Sequence, residues 1–241
     1  MAKTILVVGD SISKGVVLDT QKKKYTLLQD CFFNLLADTL KAKMINASHF
    51  GATVKEGSRQ LKTKMEKHDP DIVVIEFGGN DCDFDWESVA KDPGFDHVPK
   101  TPLDAFEYNI CAMIDYTEKN GKKAVLTTLP PLYADSYFKW FTGCDREKGQ
   151  SILKWLKEIW RIYWWQERYS NCIANIAKKR GVLCIDVRHA FLKGREFCQY
   201  LCPDGIHPNK EGHRLIFETV LSFIKEQASY LLPSHLSVQF G

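Results

Sequence analysis

Three short segments place reactive side chains at the ends of apolar runs. Gly9-Asp10-Ser11 follows Ile5-Leu6-Val7-Val8, Gly78-Gly79-Asn80-Asp81 follows Ile72 to Phe77, and Asp204-Gly205-Ile206-His207-Pro208 stands just ahead of the last amphipathic segment. Each has an ordinary structural reading. Gly-Asp-Ser is a common turn and helix-capping tripeptide, Gly-Gly-Asn-Asp is a plain turn with its Asn left-handed, and Asp204 could simply cap a helix. Each also has a chemical reading. Ser11 offers a hydroxyl nucleophile at a strand end, and Asn80 offers an amide donor beside glycines that let the backbone approach a bound group closely. A spacing of three in a turn brings the Asp204 carboxylate against one ring nitrogen of His207 and leaves the other free to take a proton. Capping by Asp204 would leave the histidine without a task. Together the three segments supply what acyl transfer needs: a nucleophile, a base with its orienting acid, and donors for an oxyanion.

The surrounding pattern explains how such segments could meet. Short β-branched runs at Thr4 to Val8, Met44 to Ala47, Ile72 to Phe77, Ala124 to Thr128 and Val182 to Asp186 predict five strands. Helical periodicity is expected between and after them, over Leu27 to Leu40, Ser58 to Lys67, Pro102 to Lys119, Ser151 to Arg180 as one helix or two, and Asn209 to Leu231. Alternating strands and helices imply right-handed crossovers and a parallel sheet covered on both faces, a three-layer α/β/α architecture. In such sheets ligands bind beyond the carboxyl ends of the strands, where the order reverses. The sequence has no internal repeat or obvious linker, and residues 1–241 read as one domain. Asp83 to Pro102 and Tyr133 to Gln150 are expected to be long irregular connections.

Composition narrows the class. A chain of 241 residues with 44% hydrophobic and 26% charged residues is that of an ordinary globular protein, with no transmembrane segment. The net charge of +3 is spread out apart from Lys22-Lys23-Lys24, which reads as a solvated loop, so no nucleic-acid partner is expected. The apolar run after the N-terminus is too short for a signal-peptide core. Eight scattered cysteines in a chain this long read as reduced thiols, and the expected location is cytoplasmic. Cys198 and Cys202 lack partners at zinc spacing, and Asp81, Asp83 and Asp85 fail the calcium-loop pattern, so the latter are expected to form a solvated acidic loop. His68, His97, His189, His213 and His235 are not expected to act, whereas His49 could line a pocket near Gly51. Trp155, Trp160, Trp164 and Trp165 fall at helical spacing and read as core or interface. Tyr133, Tyr137, Phe138, Trp140 and Phe141 follow Pro130-Pro131 at the ligand-bearing edge, where they could form a lid or an acyl-binding wall.

The order Gly9-Asp10-Ser11, Gly51, Gly78-Gly79-Asn80-Asp81, Asp204-Gly205-Ile206-His207 resembles the four blocks of the SGNH, or GDSL-like, hydrolase family, over nearly the whole chain. The resemblance implies a flavodoxin-like five-stranded parallel sheet. It implies Ser11 as nucleophile and as one backbone oxyanion donor, Gly51 and Asn80 as the other two donors, Asp204 and His207 as acid and base, and no metal or organic cofactor. Two departures stand out: Ser48-His49-Phe50 precedes Gly51 in the second block, and no Gly-x-Ser-x-Gly pentapeptide surrounds Ser11, unlike an α/β-hydrolase elbow. Family members act on short-chain esters, lysophospholipids, thioesters and acetylated sugars. The expected function is therefore a serine hydrolase cleaving a carboxylic ester through an acyl-enzyme on Ser11, with a small-molecule ester as partner and the oligomeric state left open. The alternatives are a catalytically silent flavodoxin-like binding module and an acyltransferase on the same scaffold.

Overall fold

A computed structural model describes residues 2–237. In chain order its elements are β1 (Lys3–Gly9), α1 (Ser11–Lys14), β2 (Val16–Asp19), β3 (Lys24–Leu27), α2 (Phe32–Thr39), β4 (Ala42–Asn46), α3 (Val54–His68), β5 (Ile72–Glu76), α4 (Trp86–Lys91), α5 (Leu103–Lys119), β6 (Lys123–Thr127), α6 (Ala134–Thr142), α7 (Arg146–Leu156), α8 (Arg161–Arg180), β7 (Leu183–Ile185), α9 (Val187–Leu192) and α10 (Lys210–Gln227).

The five expected strands pair in parallel in the order β4-β1-β5-β6-β7. Along β1 the pleat sends Leu6 and Val8 into one apolar cluster and Ile5 and Val7 into another, so both faces are buried and the strand reads as unbroken apolar sequence. The first cluster is closed by α3, α5 and α8, which contribute Leu61, Ile110 and Ile173. The second is closed by α2, α9 and α10, through Phe33, Phe191 and Ile216. Helix α3 starts at a capping box in which the Thr53 N–H donates to Glu56 Oε2 at 2.7 Å. Helix α5 buries Phe106, Ile110, Met113, Ile114 and Thr117, the three-and-four spacing of one face.

The chain builds outward from β1 first to β4 and then to β5 on the other side, so the strand order reverses between β1 and β5. Gly9 and Glu76, the last residues of those strands, are register partners. Two of the three sequence segments singled out above leave the sheet at that point.

Several local expectations are revised. The expected helix from Leu27 begins only at Phe32, because Lys24–Leu27 pairs antiparallel with Val16–Asp19 as a separate hairpin and the Leu28 N–H donates to Gly15 O at 2.8 Å. The lysine run is therefore the tip and first rung of that hairpin. The stretch 151–180 is two helices, broken where Lys157 turns left-handed at φ 69°. Neither long connection is irregular throughout: α4 lies in the first and α6 with the start of α7 in the second. They contribute to a third cluster, in which Phe84 and Trp86 pack with Leu132, Ile152 and Ile162. The amphipathic faces of α6 and α7 are short, and that weakens a periodicity signal.

Candidate active site

Ser11 is the first residue of α1, a single turn set immediately beyond β1. Asp10 does cap it, Oδ1 accepting the Ile12 N–H at 2.9 Å, so the capping reading and a role for the serine coexist. On the other side of the crevice, the segment before α10 is a tight turn. Asp204 Oδ1 accepts the N–H groups of Ile206 and His207, both at 3.1 Å, and its Oδ2 lies 2.7 Å from His207 Nδ1. Capping of α10 is left to Asn209, whose side chain accepts the Gly212 N–H at 3.0 Å. The far ring nitrogen, His207 Nε2, lies 3.0 Å from Ser11 Oγ. Side chains 196 positions apart in sequence are thus aligned in one hydrogen-bonded row, with Ser11, Asp204 and His207 all buried. With Nδ1–H donating to the Asp204 carboxylate, Nε2 is left as an acceptor for the serine hydroxyl.

Burial alone would push the Asp204 carboxyl up. The His207 ring and the two backbone N–H groups outweigh it and hold the carboxyl below its ordinary value of 3.8. Asp204 therefore stays ionised beside the imidazole.

Gly51 and Asn80 border the same cleft as Ser11 and His207. Gly51 is left-handed at φ 73°, in a turn anchored to β1 by the His49 N–H donating to Gly9 O at 3.1 Å. The Asn80 amide Nδ2 donates to Ala52 O at 3.1 Å and to Asp10 Oδ2 at 3.2 Å. This ties the Asn80 segment to the Asp10 segment and to the turn that carries Gly51. An incoming oxyanion would compete with those two acceptors for the amide hydrogens.

The cleft itself has a volume of about 250 Å³. Its floor beyond Asn80 is made by Cys82, Phe84, Trp86, Tyr137, Phe141 and Trp165. Its mouth is an aromatic collar around the histidine. The Tyr25 ring centroid is 4.9 Å from that of His207, Phe50 lies parallel to His207 at 6.2 Å, and Trp140 meets Tyr25 edge-on at 6.0 Å. Phe50 and Trp140 keep exposed faces. The Tyr25 hydroxyl faces Asp204 and the Trp140 indole, and burial followed by the Asp204 charge pushes it well above its ordinary value.

Of the aromatics expected along the ligand edge, Tyr137, Trp140 and Phe141 line the cleft. Tyr133 instead packs edge-on against Phe197, and Phe138 against Phe141 and Gly149. The tryptophans split: Trp165 lines the cleft, Trp155 packs with Phe84, and Trp160 and Trp164 are exposed. His49 is exposed and does not border the cleft, although its neighbour Phe50 does. The side chain of His235 lies outside the described residues. Asp81 and Asp83 are not a solvated loop: Asp81 is fully buried and accepts the Val54 N–H at 3.0 Å, and Asp83 accepts the Trp86 indole N–H at 2.8 Å. All eight cysteines are free. Tyr25 was missed because it sits behind a lysine run with no periodicity to mark it.

A family model for GDSL-like lipases and acylhydrolases matches residues 7–215. The chain belongs to this family. It is 32% identical over 143 residues to the esterase TesA of Pseudomonas aeruginosa, an alignment covering 58% of this chain and 62% of that protein. It is 29% identical over 142 residues to an arylesterase of Vibrio mimicus, with the same shares covered, so it spans about 62% of the length of the curated relatives it matches. Among solved structures, a lipase/acylhydrolase from Enterococcus faecalis superposes with a TM-score of 0.68 at 22% identity, covering 93% of this chain and 96% of that one. The crystal structure of TesA superposes with a TM-score of 0.58 at 22% identity, covering 93% and 99%. These superpositions identify the fold as the three-layer α/β sandwich of the GDSL hydrolases. Among the described residues no helix is long and apolar enough to cross a membrane.

Proposed function

We propose that the chain is a serine esterase that cleaves a carboxylic ester through an acyl-enzyme on Ser11. One observation carries the reading: the Ser11 hydroxyl, the His207 ring and the Asp204 carboxylate stand in line at 3.0 and 2.7 Å. In this reading His207 Nε2 takes the hydroxyl proton as Oγ attacks the ester carbonyl, and Asp204 stabilises the imidazolium that forms. The oxyanion falls to the backbone N–H groups of Ser11 and Gly51 and to the Asn80 amide, with one Asn80 hydrogen exchanged from Asp10 or Ala52 to the substrate. Each such donor is worth roughly a hundredfold to a thousandfold in rate. Collapse of the tetrahedral intermediate expels the alcohol with the proton from His207. Water activated by the same ring then frees the acid and regenerates Ser11.

The apolar floor at Phe84, Trp86, Phe141 and Trp165 suits the acyl group, and the collar of Tyr25, Phe50 and Trp140 suits the part of the substrate nearest solvent. The domain is read as one unit, residues 1–241, without a cofactor. Its free thiols favour a reducing, cytoplasmic setting. The test is labelling with a fluorophosphonate, the adduct located by mass spectrometry, beside a series of nitrophenyl esters of increasing acyl length. Labelling confined to Ser11 and abolished by Ser11→Ala is expected, with turnover lost in parallel. Labelling elsewhere, or none in folded protein, would favour the silent binding module. Product that appears only when an acceptor alcohol is added would favour the acyltransferase.

A further inference from the structure

Beneath the nucleophile lies a group that the proposed chemistry does not use. Glu76 closes β5 beside Gly9 and is 4% exposed. Its Oε2 accepts the N–H of Asp10 at 3.2 Å and of Ser13 at 3.4 Å, the two residues that bracket Ser11. The approach is close: a Cβ on Gly9 would lie 2.6 Å from Glu76 Oε2, so glycine is what lets the carboxyl reach under the turn. Glu76 Oε1 has no hydrogen-bond partner among the described residues. Glu76 borders an apolar cavity lined by Val7, Val74 and Val125, and the Thr127 hydroxyl on that cavity is also unpartnered. The Asp10 carboxyl lies beside that of Glu76, and its hydrogen bonds run to the Ile12 N–H and to Asn80.

We propose that Glu76 is a positioning residue of the active site that acts as a neutral acid. Its carboxyl braces the backbone on either side of Ser11, and its proton is shared with Asp10, so that the two facing carboxyls carry one negative charge rather than two beside the Asn80 amide. Two adjacent buried carboxylates cannot both ionise cheaply, and an anion with one oxygen against apolar walls is costlier still. Loss of the shared proton would also leave Asp10 with its full charge, strengthen its hold on the Asn80 hydrogen and repel a developing oxyanion. Burial first, and then the Asp10 charge, raise the Glu76 carboxyl well above its ordinary value of 4.5, while burial lifts Asp10 to about 6. The other titratable groups facing the pair are His207 and Asp81, both acting through Asp10. On the cavity side the lining from α2 and α10 holds no titratable group among the described residues, being apolar at Phe32 and Ile216 with Gln227 as its one polar residue, and Lys123 sits at the opposite end of β6.

The proposal rests on the esterase reading, and its test separates the two. Steady-state kinetics on a nitrophenyl ester are measured from mildly acid to alkaline pH for the wild type, Ser11→Ala, Glu76→Ala and Glu76→Gln. Glutamine keeps an oxygen for the Asp10 and Ser13 N–H groups and cannot ionise, so it stands in for the neutral form of the carboxyl. Glu76→Ala is expected to lower kcat on the order of a hundredfold, as for a small misplacement of reacting groups, with KM little changed. Glu76→Gln is expected to recover most of kcat and to lose the alkaline decline that the wild type shows when the shared proton leaves. A raised carboxyl costs stability as pH climbs from its unfolded to its folded value, so Glu76→Gln should gain Tm over the wild type towards neutrality and not in acid. Wild-type kcat in Glu76→Ala, or Glu76→Gln as impaired as alanine, would overturn the proposal. So would an unchanged alkaline decline in Glu76→Gln, a result that stands even if Glu76→Ala does not fold. Any of these with Ser11→Ala inactive removes only the role of Glu76; turnover that survives Ser11→Ala removes the esterase reading and this one with it.

Discussion

Asp204 grips His207 twice, through the backbone N–H at Oδ1 and through ring Nδ1 at Oδ2, at 3.1 and 2.7 Å. The first bond fixes where the residue stands and the second fixes which tautomer its ring adopts, so position and protonation are set by one carboxylate. Asp204→Asn should separate them. The amide oxygen can still accept the backbone N–H, and the turn survives, but the amide nitrogen presented to Nδ1 donates and favours the wrong tautomer. The expected result is a fall in kcat of about a thousandfold to ten thousandfold, KM near wild type and fluorophosphonate labelling slowed in proportion. Retention of wild-type kcat would show that the carboxylate does not orient the base.

The collar makes a different kind of prediction, because Trp140 touches Tyr25 and the cleft but not the nucleophile. Trp140→Ala removes an exposed aromatic face from the mouth and leaves the row from Asp204 to Ser11 in place. For esters with bulky or aromatic leaving groups KM should rise about fivefold to thirtyfold, the worth of roughly 1–2 kcal/mol of aromatic contact. For methyl esters it should hardly change. Equal losses for both series would mean that Trp140 supports the turn rather than the substrate.

The candidate site was legible in the sequence where it lies at the ends of strands and helices. Ser11, Asp204 and His207 each follow or precede an unmistakable element, and the parallel sheet follows from apolar runs such as Ile72 to Ile75. What escaped was what depends on contacts between distant segments. Tyr25 belongs to a four-residue strand whose partner, Val16–Asp19, gives too short an alternation to be recognised, and its meeting with His207 is decided by tertiary packing. Glu76 reads in sequence as a polar residue at the end of a buried strand, with nothing to announce that Gly9 makes room for it. Asp81 and Asp83 looked solvated because acidic residues in a loop usually are. Their burial comes from donors on α3 and α4, Val54 N–H and the Trp86 indole.

Gly205 is where the turn carrying both Asp204 and His207 is docked on α6. Its φ is 75°, its carbonyl accepts the Tyr133 N–H at 2.7 Å, and a Cβ there would lie 2.5 Å from Tyr133 O and 2.8 Å from Tyr137 N. Gly205→Ala thus meets both a left-handed backbone and immovable main chain. A loss of ~2–4 kcal/mol is expected from urea unfolding. Activity at low temperature, where the variant is still folded, should fall as well, because relief of the clash must move Asp204 or His207. Full activity in the folded variant would show that the turn yields elsewhere.

His213 ties stability to pH on the far side of the sheet. It is fully buried on α10, its ring stacked on Phe32 with centroids 5.8 Å apart. Burial, reinforced by the nearby His207, depresses it from 6.5 to about 4. The sign follows from which state holds the proton. As pH drops below 6.5 the unfolded chain binds a proton at this position and the native protein does not, so unfolding is favoured progressively until the native ring titrates near 4. Over that interval the wild type should lose about 3 kcal/mol on account of this one group. His213→Phe keeps an aromatic ring against Phe32 and cannot bind a proton. Urea unfolding of the two proteins between pH 7 and about pH 5 should therefore give curves that diverge, the variant gaining on the wild type as pH falls while the raised carboxyls common to both cancel from the difference. Parallel curves would mean that His213 takes up its proton in the native state as readily as in the unfolded chain, and the stack on Phe32 would then have to accommodate a charged ring.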